Sequence, residues 1–392
     1  MCHNPYMKQL IFFILLTLSL FSQTQEEYAR KQTNAFMSYQ KNQENSFKAY
    51  KQAYKNIIKE YKKELAAFWK DAKISTKTQW ISYSKDKKTR SDVDFKNETI
   101  TIQTIATSKK EAQKQLQQTL AKVVTVDTKY VQENDTLEKI LSQIKKPSNM
   151  VDNKITSEPI LSTVVFDKKP TKKSVKNYVN KHITKEKIKI KHIKDKDYIV
   201  YSIAINMPKN ATVKRSQIYY NEVKKQAKRQ RLPIELVFSI MHSESSFNPR
   251  ARSYVPAFGL MQLVPKTAGI DAYQFLYKKR RLVSGQYLYD SKNNIEMGTA
   301  YLHILYYKYL RKIKNPKSRM YCTIAAYNTG AGNIAYAFTK THNMNRAAPI
   351  INQLTPAEVY IRLLTDLRWD EPKRYLKNVS KRMLLYKKIY TM

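Results

Sequence analysis

The chain has six glycines in 392 residues and none before position 259. Gly259, Gly269, Gly285, Gly298, Gly330 and Gly332 all fall in one later segment. Glycine is the residue that lets a backbone take positive φ or approach another group closely. Special backbone geometry is therefore expected between 259 and 332, and regular elements elsewhere. The plainest regular element runs from about Gln25 to Ala72, which contains neither Pro nor Gly and reads as helix. Tyr28, Tyr39, Tyr50 and Tyr61 recur in it every eleven residues, and Phe36, Phe47 and Ile58 keep the same interval. Eleven residues make close to three α-helical turns, so these side chains form one nearly straight aromatic stripe. A packing face is expected there, with docking of a protein partner as the alternative use.

Residues 76–208 read as a small α+β region. Trp80 to Tyr83 alternates like a strand, and Val93 to Phe95 with Thr99 to Ile105 reads as a hairpin turning at Asn97-Glu98. Ser108 to Val124 is an amphipathic helix pattern, and a second helix is expected over Thr136 to Ile144. Residues 146–180 are rich in Lys, Ser, Thr and Pro and are expected to be loop or mobile chain. Ile188 to Ile190 and Tyr198 to Ile205 form a second hairpin pattern through 194–197. Pro208-Lys209-Asn210 marks a boundary, after which residues 212–392 read almost wholly as helix.

At the N-terminus, Lys8 precedes an apolar run from Leu10 to Phe21, too short to span a membrane comfortably but fitting the core of a secretory signal. Residues 1–23 are expected to be a signal cleaved after Ser22, with an uncleaved membrane anchor as the alternative. Export to the periplasm follows from that reading. Once Cys2 is removed, Cys322 is the one thiol left, so no intramolecular disulfide is expected. The formal charge of +41 draws polyanions, among them wall polymers that bear carboxylates. No zinc-finger spacing or RNA-binding signature accompanies it, so nucleic acid is not the expected partner.

The most unusual placement is that of Glu244. Ile234, Val237, Phe238, Ile240 and Met241 follow Pro233 at helical spacing, and Asn248-Pro249 is a stop. Glu244 lies three residues after Met241 and seven after Val237, on the apolar face of that helix near its end. A carboxylate there costs free energy unless paired or protonated. Either it pairs with Arg250 or Arg252, or it is an acid held for chemistry.

Around it stand Ser253, Met261, Gln262, Tyr327, Asn328 and Tyr375. The runs that carry them include Glu244-Ser245-Ser246-Phe247-Asn248-Pro249, Gly259-Leu260-Met261-Gln262, Asn294-Ile295, Gly298-Thr299-Ala300-Tyr301-Leu302, Ala326-Tyr327-Asn328 and Arg374-Tyr375-Leu376-Lys377-Asn378-Val379. In this order they resemble the lysozyme-like lytic transglycosylases that cleave peptidoglycan, and the membrane-bound type C subfamily most closely. The likeness covers 212–392 almost throughout, and Val93 to Ala106 looks like that subfamily's accessory N-terminal domain. Two departures stand out: the lipoprotein cysteine after the apolar run is missing, and Thr329-Gly330 replaces the usual Gly-Gly.

The resemblance implies an α+β multidomain protein: a mainly α lysozyme-like catalytic domain at the C-terminus (212–392), a small α+β domain before it (76–208) and a long N-terminal helix (24–75). It implies Glu244 as the acid and then the base of a non-hydrolytic cleavage assisted by the substrate's acetamido group. Ser253, Gln262 and Asn328 would bind the glycan, Met261 would wall a subsite, and Tyr327 and Tyr375 would hold Glu244 or the sugar. No obvious second carboxylate is found, Asp271 and Glu296 reading as loop or helix start. No metal and no cofactor is implied, and His242, His303 and His342 read as structural. A hydrolytic muramidase on the same fold and a non-catalytic wall-binding scaffold are the alternatives.

Overall fold

The computed structural model describes residues 5–193, 198–254 and 256–390, without the side chains of 5–26, 35, 36, 39 and 40. The apolar run read as an export signal, Phe36 and Tyr39 of the stripe, and the turn at 194–197 lie outside what is described. Two compact units are present: residues 1–56 with 144–149, and residues 57–143 with 150–392. Among the described residues no helix is long and apolar enough to cross a membrane.

The first unit is most of α1 (Pro5–Ala66). Along the stripe Phe47 and Tyr50 are buried and their rings stack at 6.4 Å, whereas Tyr28 is exposed. Solvent-facing i,i+4 pairs such as Lys31–Glu27 line the helix. Gln43 Nε2 donates to Ser148 Oγ at 3.1 Å, tying the 144–149 segment to it.

The second unit opens on the last turns of α1, where Ile58, Tyr61 and Leu65 are buried. It continues with an antiparallel sheet of β1 (Gln79–Tyr83), β2 (Thr89–Asp94), β3 (Thr99–Ile105), β5 (Lys189–Ile193) and β6 (Tyr198–Asn206), in the order β1-β2-β3-β6-β5. The expected hairpin turn at Asn97-Glu98 is present, with Glu98 in the left-handed region at φ 54°. One sheet face carries Val93, Ile100, Ile102, Ile203 and Ile205, all buried under α2 (Lys109–Val123), which Ser108 caps by accepting the Glu111 N–H. The expected second helix is α4 (Thr136–Ser142), and a further turn of helix precedes it as α3 (Thr128–Asn134), capped by Asp127.

Residues 146–180 are more ordered than the composition predicts. They hold β4 (Met150–Val151), α5 (Ser162–Val165) and α6 (Lys172–His182, running just past the segment), and Ile160, Leu161 and Val164 are buried. α6 begins with a reciprocal cap between Thr171 and Ser174, a pair that lacks the Glu or Gln of the common sequence signature. β4 runs parallel to β7 (Leu282–Val283), so a segment that looked free is held by backbone pairing to the helical region.

The helical part comprises α7 (Ala211–Ile218), α8 (Tyr220–Gln230), α9 (Ile234–Ser245), α10 (Ile270–Tyr277), α11 (Gly285–Tyr289), α12 (Ser291–His303), α13 (Pro316–Thr329), α14 (Ala331–Thr339), α15 (Met344–Gln353), α16 (Pro356–Asp366) and α17 (Asp370–Tyr390). α17 packs along α9, with Phe238 against Tyr386 and Tyr390 at 5.5 and 4.4 Å between ring centroids. Arg215 on α7 is fully buried and reaches both the sheet and α9. It donates to Phe95 O at 2.8 Å and to Ser246 O at 3.2 Å, with Glu98 3.5 Å away.

The loop after α9 is shaped by Asn294 on α12, which is fully buried. Its amide nitrogen donates to Phe258 O and Leu288 O at 2.9 and 2.8 Å, and its oxygen accepts the Met261 N–H at 2.8 Å. Gly259 passes directly over it at φ +75°, and a Cβ there would lie 2.3 Å from Asn294 Nδ2. Asn294→Ala strands the Met261 N–H and Leu288 O and leaves Phe258 O with the Leu263 N–H alone, so it should cost about 2–3 kcal/mol in urea unfolding. An unchanged midpoint would show that the loop does not depend on this side chain.

Candidate active site

Glu244 stands in the last turn of α9 and is 5% exposed. The helix stops sooner than Asn248-Pro249 requires. Ser246 and Phe247 both take left-handed backbone, at φ 51° and 61°, and Ser246 N–H closes on His242 O. Two consecutive non-glycine residues in that region cost roughly 1–2 kcal/mol each. Burial of Phe247 against Phe238, Tyr219 and His242 holds them there. Behind Glu244, Arg382 on α17 donates to Ser243 Oγ at 2.7 Å. Tyr386 Oη lies 3.0 Å from His242 Nδ1, and burial beside Arg382 and Arg215 takes the His242 pKa down to about 3. His242 is thus a neutral structural residue.

The arginine pairing that would have made Glu244 an ordinary helix-end carboxylate is absent. Arg250 and Arg252 both turn to Glu138 on α4, Arg250 at 3.0 Å, with the Arg250 guanidinium 4.0 Å from the centre of the Tyr289 ring. Among the described residues Glu244 instead has one cation within ion-pair range, Lys77 at 3.9 Å. Burial raises the Glu244 pKa. Lys77 and the nearby Tyr375 hydroxyl oppose that rise, and Glu371 adds to it.

The two tyrosines singled out from the sequence converge here. Tyr327, near the end of α13, donates to Met261 O at 2.8 Å, and its ring meets Tyr301 edge-on at 5.6 Å. Tyr375, in α17, is buried, and its hydroxyl has no well-formed hydrogen bond, which leaves it facing the Glu244 carboxyl. Burial first, and then the Glu244 charge, push both phenols well above their usual range, so both remain protonated donors.

The loop residues divide by what they expose. Gln262 is strained at φ 49°; its amide nitrogen is used on Gly259 O at 3.0 Å, and its buried Oε1 has no partner. Such an orphan buried acceptor is the kind of group a ligand satisfies. Met261 has no exposed surface, and its Sδ lies against Gly298, where a Cβ would come within 2.2 Å. The subsite wall expected of its side chain is therefore not presented; Met261 meets the site through the carbonyl that Tyr327 holds. Ser253 is half-buried and closes a turn, its Oγ accepting the Ala257 N–H at 3.2 Å. Ser245 Oγ donates to Leu260 O at 2.8 Å, fastening this loop to α9.

Two residues that sequence reasoning passed over complete the arrangement. Lys77 precedes β1 and is held by its backbone: Asn248 Nδ2 donates to Lys77 O at 3.3 Å, and the Arg252 N–H donates to Thr76 O at the same distance. Its ammonium is also 3.8 Å from Glu371, to which Asn328 Nδ2 donates at 3.5 Å. Glu371 is the second carboxylate that the sequence did not yield, although it sits four residues before Tyr375 in one helical run. Nothing in the sequence marks Lys77. The two carboxylates considered earlier are engaged elsewhere: Asp271 accepts from Tyr309, and Glu296, inside α12, pairs with Arg229.

Because its folded-state pKa is raised, Glu244 binds its proton more tightly folded than unfolded. Its contribution is favourable below the ordinary carboxylate range and is lost as pH rises through the folded value. Glu244→Gln should therefore raise the melting temperature at neutral pH, by about 1–1.5 °C for each kcal/mol gained, because the unfolding entropy grows with chain length. The gain should vanish in acid, and a variant destabilised at neutral pH would contradict the burial argument.

The Transglycosylase SLT domain family matches residues 221–349, and the family described as membrane-bound lytic murein transglycosylase C, N-terminal domain, matches residues 39–218. Membrane-bound lytic murein transglycosylase C of Serratia proteamaculans strain 568 is 34% identical over 317 residues, covering 80% of this chain and 84% of that protein. The protein of the same name from Klebsiella pneumoniae subsp. pneumoniae is 34% identical over 312 residues, covering 79% and 82%. A solved structure, the 70 kDa soluble lytic transglycosylase of Escherichia coli, aligns with 25% identity and a TM-score of 0.34 over 44% of this chain and 24% of that longer one. With an SLT domain following the type C N-terminal domain, the chain belongs to the lytic murein transglycosylase C family of peptidoglycan-degrading lyases.

Proposed function

We propose that this protein cleaves the MurNAc–GlcNAc β-1,4 bond of peptidoglycan without water, leaving 1,6-anhydro-MurNAc ends, and that Glu244 serves as acid and then as base. The observation that carries the reading is the burial of Glu244 at the end of α9 with a raised pKa. A carboxyl that keeps its proton toward neutral pH can give it to the departing glycosidic oxygen as the C1–O bond breaks. The carboxylate so formed then takes the proton of the muramic 6-hydroxyl as that oxygen bonds C1. Glu244 ends protonated again, and no water is consumed.

In this scheme Tyr375, a protonated donor with no other partner, steadies the carboxylate between the two steps, while Tyr327, whose hydroxyl is spent on Met261 O, holds the loop beside it. The unpartnered Oε1 of Gln262 and the amide of Asn328 face the sugar, and Ser253 binds the acetamido group from its turn. Met261 supports Tyr327 from beneath. Lys77 favours the charged form, which is the form required of the base. The excess of Lys and Arg draws strands that carry acidic stem peptides. Such a substrate places the protein outside the cytoplasm, on the periplasmic side. The relatives are named membrane-bound, so attachment through the N-terminal segment belongs to the same reading.

Glu371 favours one alternative, a hydrolase in which a second carboxylate handles water. The product decides between them. Purified protein incubated with sacculi should release anhydro-muropeptides by mass spectrometry, and Glu244→Gln should lower their yield about a thousandfold. Reducing-end muropeptides would establish a hydrolase, and no product from either protein would sink the enzymatic reading.

The Lys77 role gives a pH signature. Lys77→Met removes the cation that opposes the raised Glu244 pKa, so the alkaline limb of kcat/KM should move upward, with Lys77→Arg restoring it. A limb that stays in place or moves downward would remove Lys77 from the site.

A further inference from the structure

Outside the Glu244 site, the sheet face that packs on α2 changes character along its length. At one end it is hydrocarbon, with Val93, Ile100 and Ile102 fully buried. Toward the other end, Ser82 on β1 stands opposite Ser91 on β2, and Thr89 stands opposite Thr104. Small hydroxyl residues where valine or isoleucine would fill space leave a cavity of about 170 Å³, roofed by α2 and α3. Thr89 and Thr104 satisfy one another at 2.7 Å, and Ser82 donates to Asp135 at 3.3 Å. Ser91, 2% exposed, lies among these hydroxyls on the cavity floor.

The walls are mixed in a specific way. Trp80 closes one end and Tyr130, 42% exposed, stands at the mouth, while Gln118 and Asn134 bring two amides; the Asp135 carboxylate is spent on Ser82 and on the Leu137 and Glu138 N–H groups of α4. Lys122 lies over the Tyr130 ring at 5.3 Å and is the one cation in the lining. A polyanion such as nucleic acid or a lipid phosphate has no cluster of positive charge to meet here. A hydrophobic ligand would leave the Ser91 hydroxyl and the Gln118 amide without partners, since Ser82, Thr89, Thr104 and Asn134 are already bonded within the fold. Aromatic faces with neighbouring hydroxyl and amide groups match a pyranose ring bearing an acetamido group.

We propose that this pocket is a second glycan subsite, which takes one N-acetylated sugar of a strand and holds it while the strand is worked on at Glu244. The role in holding a strand rests on the reading of peptidoglycan as substrate; binding of the sugar does not. The test uses the full chain carrying Glu244→Gln, so that nothing is cleaved, titrated with chitotriose by isothermal calorimetry. Ser91→Leu fills the cavity, and Tyr130→Ala removes an exposed wall that the fold does not need. Each should weaken one class of chitotriose sites about tenfold, with the melting temperature of Tyr130→Ala unchanged. Binding identical to the parent in Tyr130→Ala would overturn the proposal, leaving the cavity to water, whether or not Ser91→Leu folds. The two readings fail separately. Products from sacculi with indifferent chitotriose binding would remove the pocket alone, and weakened binding without products would leave a glycan site on a protein that does not cleave.

Discussion

The second unit depends on one buried guanidinium. Arg215 is 1% exposed, and it spans from the hairpin turn at Phe95 and Glu98 to the carbonyl of Ser246, two residues past Glu244. A buried charge is tolerable only when its donors are met, and breaking such a set costs about 3–5 kcal/mol. The sheet and the end of α9 therefore cannot move apart without stranding it. This explains why residues on either side of the 208–210 boundary share one compact unit. The accessory sheet is part of the structure that places the acid.

Around that anchor the site is assembled from strain and burial together. Ser246, Phe247 and Gln262 all sit at positive φ without being glycine, and all lie within a few residues of Glu244 or Met261. Such conformations persist only where packing over-determines them. Phe247 in its aromatic cluster and Asn294 beneath the loop do that here. What results is an acid in a low-dielectric place whose charge is balanced by one lysine and disturbed by one glutamate.

Much of this was legible beforehand, and the reasons differ by residue. Glu244 was visible because helical spacing put a carboxylate on an apolar face, a local conflict that sequence shows directly. Tyr327 and Tyr375 were visible through motif likeness alone. Met261 was misplaced because a methionine near a site cannot be told from a methionine under it; the close approach of Gly298 decides that. The 146–180 segment was misread because its order comes from pairing of Met150 and Val151 with Leu282 and Val283, and from burial of Ile160, Leu161 and Val164 in the core of the sheet, all far away in the chain. Composition carries no trace of such a partner.

Local physics is written in the sequence: the long helix without Pro or Gly, the hairpin at Asn97-Glu98, the apolar face that holds Glu244 and the confinement of glycine to 259–332. Each depends on neighbours within a few positions, where periodicity and backbone preference act. Only the tertiary structure decided which charges meet. Arg250 and Arg252, six and eight residues from Glu244, turn to Glu138, while Lys77, far earlier in the chain, faces it. Ion pairs are set by distances in space and by what burial excludes, and sequence separation records neither.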